Sequence, residues 1–186
     1  MELILASQSP RRRELIGLLN MPFSVQTAPV DETMDGPDVE EQVAKLSLRK
    51  AQAVGAFPGK LTVAADTVVV LDGCVLGKPA TQAEAEQMLS RLSGRTHEVM
   101  TGVTVLYTGG CISHTQVTRV RFRELSQEEI RQYVKSGDPM DKAGAYGIQS
   151  GAAVFVEGIE GDYFNVVGLP VCKLSQMIAK AMEEME

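Results

Sequence analysis

The 186-residue chain contains no tryptophan, its aromatic residues amount to 5%, and it has only two histidines and three cysteines. Each scarcity removes a class of chemistry. Cys74, Cys111 and Cys172 are odd in number, far apart and outside any metal-ligand spacing. They read as reduced thiols, in the core or on the surface of a cytoplasmic protein, rather than as a disulfide frame. His97 and His114 have no partner at triad or metal spacing and read as structural, with a polar contact the most that His97 suggests. No window reaches the ~20 apolar residues a membrane helix needs. The amino-terminal stretch is a short apolar strand and lacks the layout of a signal peptide, so no membrane partner is expected. A formal charge of -6 and a pI near 5.1 argue against a nucleic-acid partner. Neither a GxxxxGKS/T loop nor a GxGxxG strand-to-helix turn is present, which leaves kinase and dehydrogenase chemistry without support. With 44% hydrophobic residues, the length suits one domain with a large core or two closely joined lobes.

What is present centres on Val63 to Val70, VAADTVVV, a run that reads as a buried strand except for Asp66. A carboxylate among small and β-branched residues loses hydration, so it must be paired, bind a metal, or face an opening. On this stretch alone, a chemical centre and a structural aspartate are equally open.

The beginning of the chain reads as a strand over Leu3 to Ala6, then a tight loop, then a helix with Ser9 as N-cap and Pro10 in the first helical position. Ser7, Ser9, Arg11 and Arg12 make a phosphate cradle at that helix start. Three arginines in a first turn oppose the helix dipole, an arrangement that makes sense if an anion sits there; simple solvation is the alternative. Asp31 and Glu32 follow a strand over Phe23 to Gln26, and neighbouring side chains in an extended segment point opposite ways, so only one can face a given site. A helix from Asp38 to about Ala56 carries Val39, Val43, Leu46 and Val54 on one stripe. Lys50 lies ~20° from Val39 on that stripe, either to snorkel outward or to reach an anion.

Asp72-Gly73 supplies a hairpin turn that returns the chain towards Lys78. Helices with capping boxes at Thr81/Glu84 and Ser126/Glu129 flank two long strands, roughly His97 to Tyr107 and Cys111 to Phe122. Arg119, Arg121 and Arg123 share one face of the second, solvated or in an inter-lobe contact. Residues 138 to 149 are rich in glycine and small residues and read as a broken loop whose Asp141, Lys142 and Gln149 can contact a ligand. A strand over Ala152 to Val156, a polar turn over Glu160 to Asn165 and a final helix from Pro170 to Glu184 complete the expectation.

Taken together, Arg11, Arg12, Lys50 and Lys78 with Glu32 and Asp66 form the inventory of a polyphosphate site, where cations meet phosphates and carboxylates hold a hard divalent ion. Asp66 is then the candidate general base for attack by water.

LASQSPRRRELIGLL (Leu5 to Leu19), VDE (Val30 to Glu32), AADTVV (Ala64 to Val69), LGKP (Leu76 to Pro79), LSGRTHEVMTGV (Leu92 to Val103), DKAGAYGIQ (Asp141 to Gln149) and EGDYFNVVGLP (Glu160 to Pro170) together resemble the Maf family of nucleoside triphosphate pyrophosphatases. The resemblance covers nearly the whole chain. It implies an α/β fold, elongated and two-lobed, with a mixed sheet, flanking helices and a central cleft, similar to the inosine triphosphate pyrophosphatases, in a single domain over residues 1 to 186. A homodimer is frequent in such proteins. The implied reaction is hydrolysis of a nucleoside triphosphate to monophosphate and pyrophosphate with Mg²⁺ or Mn²⁺, held by Glu32 and Asp66. Asp66 matches the proposed proton acceptor, and Arg11, Thr67 and Gln149 match positions that set base preference, in the combination of the dTTP and UTP branch. Ser7, Arg12, Glu32, Lys50 and Lys78 match polar positions lining the site. Ser150 stands where glycine often follows the glutamine, a change that would stiffen the base-reading loop. A rival reading from the same resemblance is a nucleotide-binding regulator of septum formation and cell division without turnover.

Overall fold

The structure is a computed structural model, and it describes residues 1 to 185. Its seven strands form one sheet in the order β2 (Phe23–Val25), β1 (Glu2–Leu5), β3 (Lys60–Leu71), β5 (Thr96–Tyr107), β6 (Gly110–Phe122) and β7 (Val156–Glu160), with β4 (Cys74–Leu76) paired to β3.

Strand β1 (Glu2–Leu5) leads to helix α1 (Pro10–Gly17), strand β2 (Phe23–Val25), helix α2 (Val39–Val54) and strand β3 (Lys60–Leu71). Leu3, Ile4 and Leu5 are fully buried because β1 is flanked by parallel partners on both edges, β2 and β3. Helix α1 starts as its sequence demands. The Ser9 hydroxyl accepts from Arg12 N–H at 3.5 Å and Pro10 takes a position where no N–H is needed. Helix α2 is capped by Asp38, carries Glu40 and Glu41 in its first turn where the helix dipole favours anions, and ends at Gly55 with φ 99°. Its buried face is Val43, Leu46, Ser47 and Ala51, so Val39 and Val54 sit only half-buried at the margins of the expected stripe.

The hairpin to β4 (Cys74–Leu76) turns at Asp72 and Gly73, both with positive φ, as a two-residue turn of that sequence requires. Helix α3 (Gln82–Leu92) follows. Thr81 caps it as expected, but the Glu84 carboxylate accepts from Ala80 N–H at 2.8 Å, one residue earlier than a capping box would place it. Strands β5 (Thr96–Tyr107) and β6 (Gly110–Phe122) precede helix α4 (Gln127–Lys135), whose Ser126/Glu129 box is complete. Three short 3₁₀ segments, strand β7 (Val156–Glu160), helix α5 (Tyr163–Val167) and helix α6 (Val171–Glu184) end the chain.

Two expectations fail here. The stretch from Gly151 to Phe155 is 3₁₀ rather than strand, because its buried residues, Ala152 and Phe155, are three apart while Val154 is 67% exposed. The expected polar turn through Asn165 is helical. Asp162 accepts from Phe164 N–H at 2.8 Å to start it, and the buried Asn165 amide donates to Val99 O and Thr118 Oγ1, both at 3.0 Å.

The chain divides into two compact units. One comprises residues 1 to 66, 101 to 116 and the chain from Gly168 onward; the other comprises 67 to 100 and 117 to 167. In the first, α2 packs so closely on β5 that a Cβ on Gly102 would lie 2.2 Å from Val43 O. In the second, four aromatic residues gather with a histidine. His97, Phe122, Tyr146, Phe155 and Tyr133 meet edge-to-face, with Phe122 and Tyr146 centroids 4.8 Å apart. His97 is structural, as expected, its Nε2 2.8 Å from Tyr146 Oη.

Candidate active site

In the first unit, strand β1 delivers Ser7 and the start of α1. Ser7 is buried, and its hydroxyl oxygen accepts from Ser9 N–H at 3.2 Å and from Arg12 Nη1 at 3.3 Å. A hydroxyl that accepts twice still has its own hydrogen to donate. Arg12 Nε donates to Gly168 O at 2.8 Å, which fixes the guanidinium plane. Burial holds the Arg12 pKa below its ordinary value and Arg11 adds to this, while Asp66 and Glu32 act to raise it. The first turn of α1 has no acidic residue, so its positive end is uncompensated from within the helix.

Helix α2 and strand β3 supply the second part. Lys50 Nζ lies 2.5 Å from Asp66 Oδ1 and 2.8 Å from Glu32 Oε1. The Lys50 and Asp66 side chains are only 15% and 17% exposed, whereas Glu32 is 65% exposed. Two carboxylates therefore converge on one cation. Of the adjacent acids, Glu32 faces this point and Asp31 turns back to accept from Thr33 N–H at 2.9 Å and Thr33 Oγ1 at 2.6 Å. Those bonds hold the Asp31 carboxyl below its ordinary pKa.

The second unit holds the other expected residues. Thr67 follows Asp66 directly and is half-buried. Lys78 is exposed two residues beyond Leu76, the last β4 residue paired with β3. Gln149 is exposed in the turn between two 3₁₀ segments. Neither Lys78 nor the Gln149 amide makes a hydrogen bond or ion pair among the described residues. Lys142 is not available for a ligand as expected, since its ammonium donates to Asp138 O at 2.6 Å, Asp141 Oδ1 at 2.8 Å and Asp138 Oδ1 at 3.0 Å. Arg119, Arg121 and Arg123 are engaged with Glu98, Glu157 and Glu129.

The family model described as Maf-like protein matches residues 2 to 181. The chain belongs to the Maf family. Among its relatives, a dTTP/UTP pyrophosphatase from Symbiobacterium thermophilum is 51% identical over 181 residues, which is 96% of this chain and 93% of that one. A protein of the same name from Koribacter versatilis is 49% identical over 183 residues, covering 97% and 95%. Among solved structures, a HAM1 protein from Coxiella burnetii aligns with a TM-score of 0.53 at 17% identity, over 97% of this chain and 99% of that one. That likeness is one of fold, and it agrees with the expected mixed α/β sheet with flanking helices.

In this Maf-family chain one residue beside the site escaped the sequence reading. Arg49 Nη2 donates to Thr33 O at 2.5 Å and ties the loop that bears Glu32 onto α2. No local pattern signalled it, because Arg49 acts on a carbonyl of a loop sixteen residues away in the chain.

Proposed function

We propose that this chain is a nucleoside triphosphate pyrophosphatase that hydrolyses dTTP and UTP to the monophosphate and pyrophosphate. The observation that carries the reading is the Lys50 ammonium shared by Asp66 and Glu32. The nearby Ser7 and Arg12 donors and the relatives named for this activity support it.

Asp66 accepts the proton of a water whose oxygen attacks the α-phosphorus, and the bond from that phosphorus to the bridging oxygen breaks to release pyrophosphate. Arg11, Arg12, Lys50 and Lys78 meet the charge of the phosphates, and the Ser7 hydroxyl donates to one of their oxygens. Arg11, Thr67 and Gln149 set base preference, an assignment that rests on the family resemblance. A glutamine amide both donates and accepts, as a pyrimidine edge requires.

Glu32 and Asp66 fit a hard divalent cation, Mg²⁺ or Mn²⁺, because they already converge on one positive charge with oxygen donors alone. When bound, that ion supplies charge neutralisation at the phosphate oxygens. The reading includes a homodimer, which light scattering tests, and a cytoplasmic location. No helix among the described residues is long and apolar enough to cross a membrane.

The test is pyrophosphate release from dTTP, UTP, dCTP and the purine triphosphates with Mn²⁺, with 5-methyl-UTP and pseudo-UTP added to the panel. Turnover of dTTP and UTP above the rest is expected; saturable binding with no metal-dependent product would support a regulator instead.

A further inference from the structure

In the second unit, the turn that presents Gln149 is held by a half-buried hydrogen-bond network. The Asp138 carboxylate is its hub. Its Oδ2 accepts from Tyr133 Oη at 2.6 Å and from Ser150 Oγ at 2.5 Å, and its Oδ1 accepts from Lys142 Nζ at 3.0 Å. Tyr133 Oη in turn accepts from Gly147 N–H at 3.1 Å. Ser150 N–H closes the turn on Gly147 O at 3.2 Å. The residues on both sides of Ile148 and Gln149 are thus fastened to one carboxylate, while the Gln149 side chain itself stands exposed and without a hydrogen-bond partner among the described residues.

The fastening is rigid for reasons of packing. Tyr133 is 7% exposed and stacks edge-to-face on Phe155 at 5.3 Å. A Cβ on Gly151 would stand 3.1 Å from the Tyr133 ring, so the chain beyond the turn is laid against it. A Cβ on Gly147 would stand 2.6 Å from both Lys142 Cε and Ser150 Oγ, so a side chain there would displace the two groups that bond Asp138. Burial works against ionisation of Asp138, but its bonds from Ser150, Tyr133 and Lys142 outweigh this and keep it charged. A charged acceptor makes each of those bonds stronger than a neutral one would be.

We propose that Asp138, Tyr133 and Ser150 are positioning residues that set the base preference of the enzyme by fixing the turn that carries Gln149. The inference rests on the reading of Gln149 as a base-contacting residue. A hydrogen-bonding amide discriminates sharply only if it cannot adjust to the wrong base, so looseness in its turn is paid in selectivity.

The test compares kcat/KM for UTP and CTP in the intact protein and in Ser150→Ala, Asp138→Asn, Gln149→Ala and the double variant Ser150→Ala/Gln149→Ala. Ser150→Ala removes one hydroxyl at a half-buried position, so it stays informative if Asp138→Asn does not fold. The UTP preference is expected to fall about tenfold in Ser150→Ala, through KM for UTP with kcat within about twofold. Ser150→Thr, which keeps the hydroxyl, is expected to restore it. The double variant is expected to be no less selective than Gln149→Ala alone, since Ser150 acts through Gln149. A preserved preference in Ser150→Ala, with Gln149→Ala losing it, would overturn the proposal and leave the underlying reading intact. A preference unchanged in Gln149→Ala would overturn both.

Discussion

The Lys50 ammonium and the Asp66 carboxylate meet at 2.5 Å from the last third of α2 and the middle of β3, each side chain less than a fifth exposed. Each charge offsets part of the cost of burying the other. The same ammonium also reaches Glu32, so a single side chain balances both carboxylates assigned to the chemistry.

Lys50→Met therefore removes the cation and leaves two carboxylates facing each other. The expected outcome is a loss of about 3 kcal/mol of stability in urea unfolding without divalent ions. It comes with a larger thermal upshift on adding Mn²⁺ than the unaltered protein shows. An equal upshift in both proteins would count against Glu32 and Asp66 as the metal ligands.

Arg12→Lys keeps the charge but loses the fork that binds Gly168 O through Nε and Ser7 through Nη1. The kcat/KM for UTP is expected to fall at least about tenfold, with thermal stability changed little. A rate equal to that of the unaltered protein would mean that only the charge of Arg12 matters.

Gly102→Ala tests the seat of α2. The added methyl group would meet backbone atoms of Val43, which cannot swing aside as a side chain can. A loss of about 3 kcal/mol or more is expected in urea unfolding. Catalysis should fall with it, because α2 carries Lys50. A neutral substitution would show that the helix is free to shift.

His97 gives the fold an acid limit. Burial lowers its pKa to about 4 from an ordinary 6.5, and it is 2% exposed. The neutral ring is favoured in the folded state, so its contribution is full above about pH 6.5 and is lost as pH falls through about 4. That shift corresponds to about 3 kcal/mol in total. Urea unfolding of His97→Gln between pH 7 and pH 4 should show a flatter profile than the unaltered protein. Parallel profiles would rule out His97 as the source.

The convergence of Lys50 on Asp66 was legible in the sequence because both residues break a local pattern. One puts a lysine on an apolar helix stripe, the other an aspartate in an apolar strand, and each needs an opposite charge. The start of α1 was equally legible, since Ser9 and Pro10 act through local backbone geometry. The Asp138 hub was not. Its partners Tyr133, Lys142 and Ser150 lie at separations with no common period, and Asp138-Pro139 reads locally as an ordinary turn. Arg49 was hidden for another reason: one residue from Lys50 on a helix, it points ~100° away, and only the path of the loop at Thr33 gives it a role. The 3₁₀ stretch over Gly151–Phe155 went unread because AAVF suits a strand by composition, and the burial of Ala152 and Phe155 beside an exposed Val154 shows only in the folded chain.

The most direct test of the account is Asp66→Asn, assayed for pyrophosphate release from dTTP and UTP with Mn²⁺. Asparagine keeps the shape and a hydrogen-bond acceptor for Lys50 but cannot take the proton from water. A fall in kcat of about a hundredfold or more is expected, with the fold retained by circular dichroism. Full activity in Asp66→Asn would contradict it.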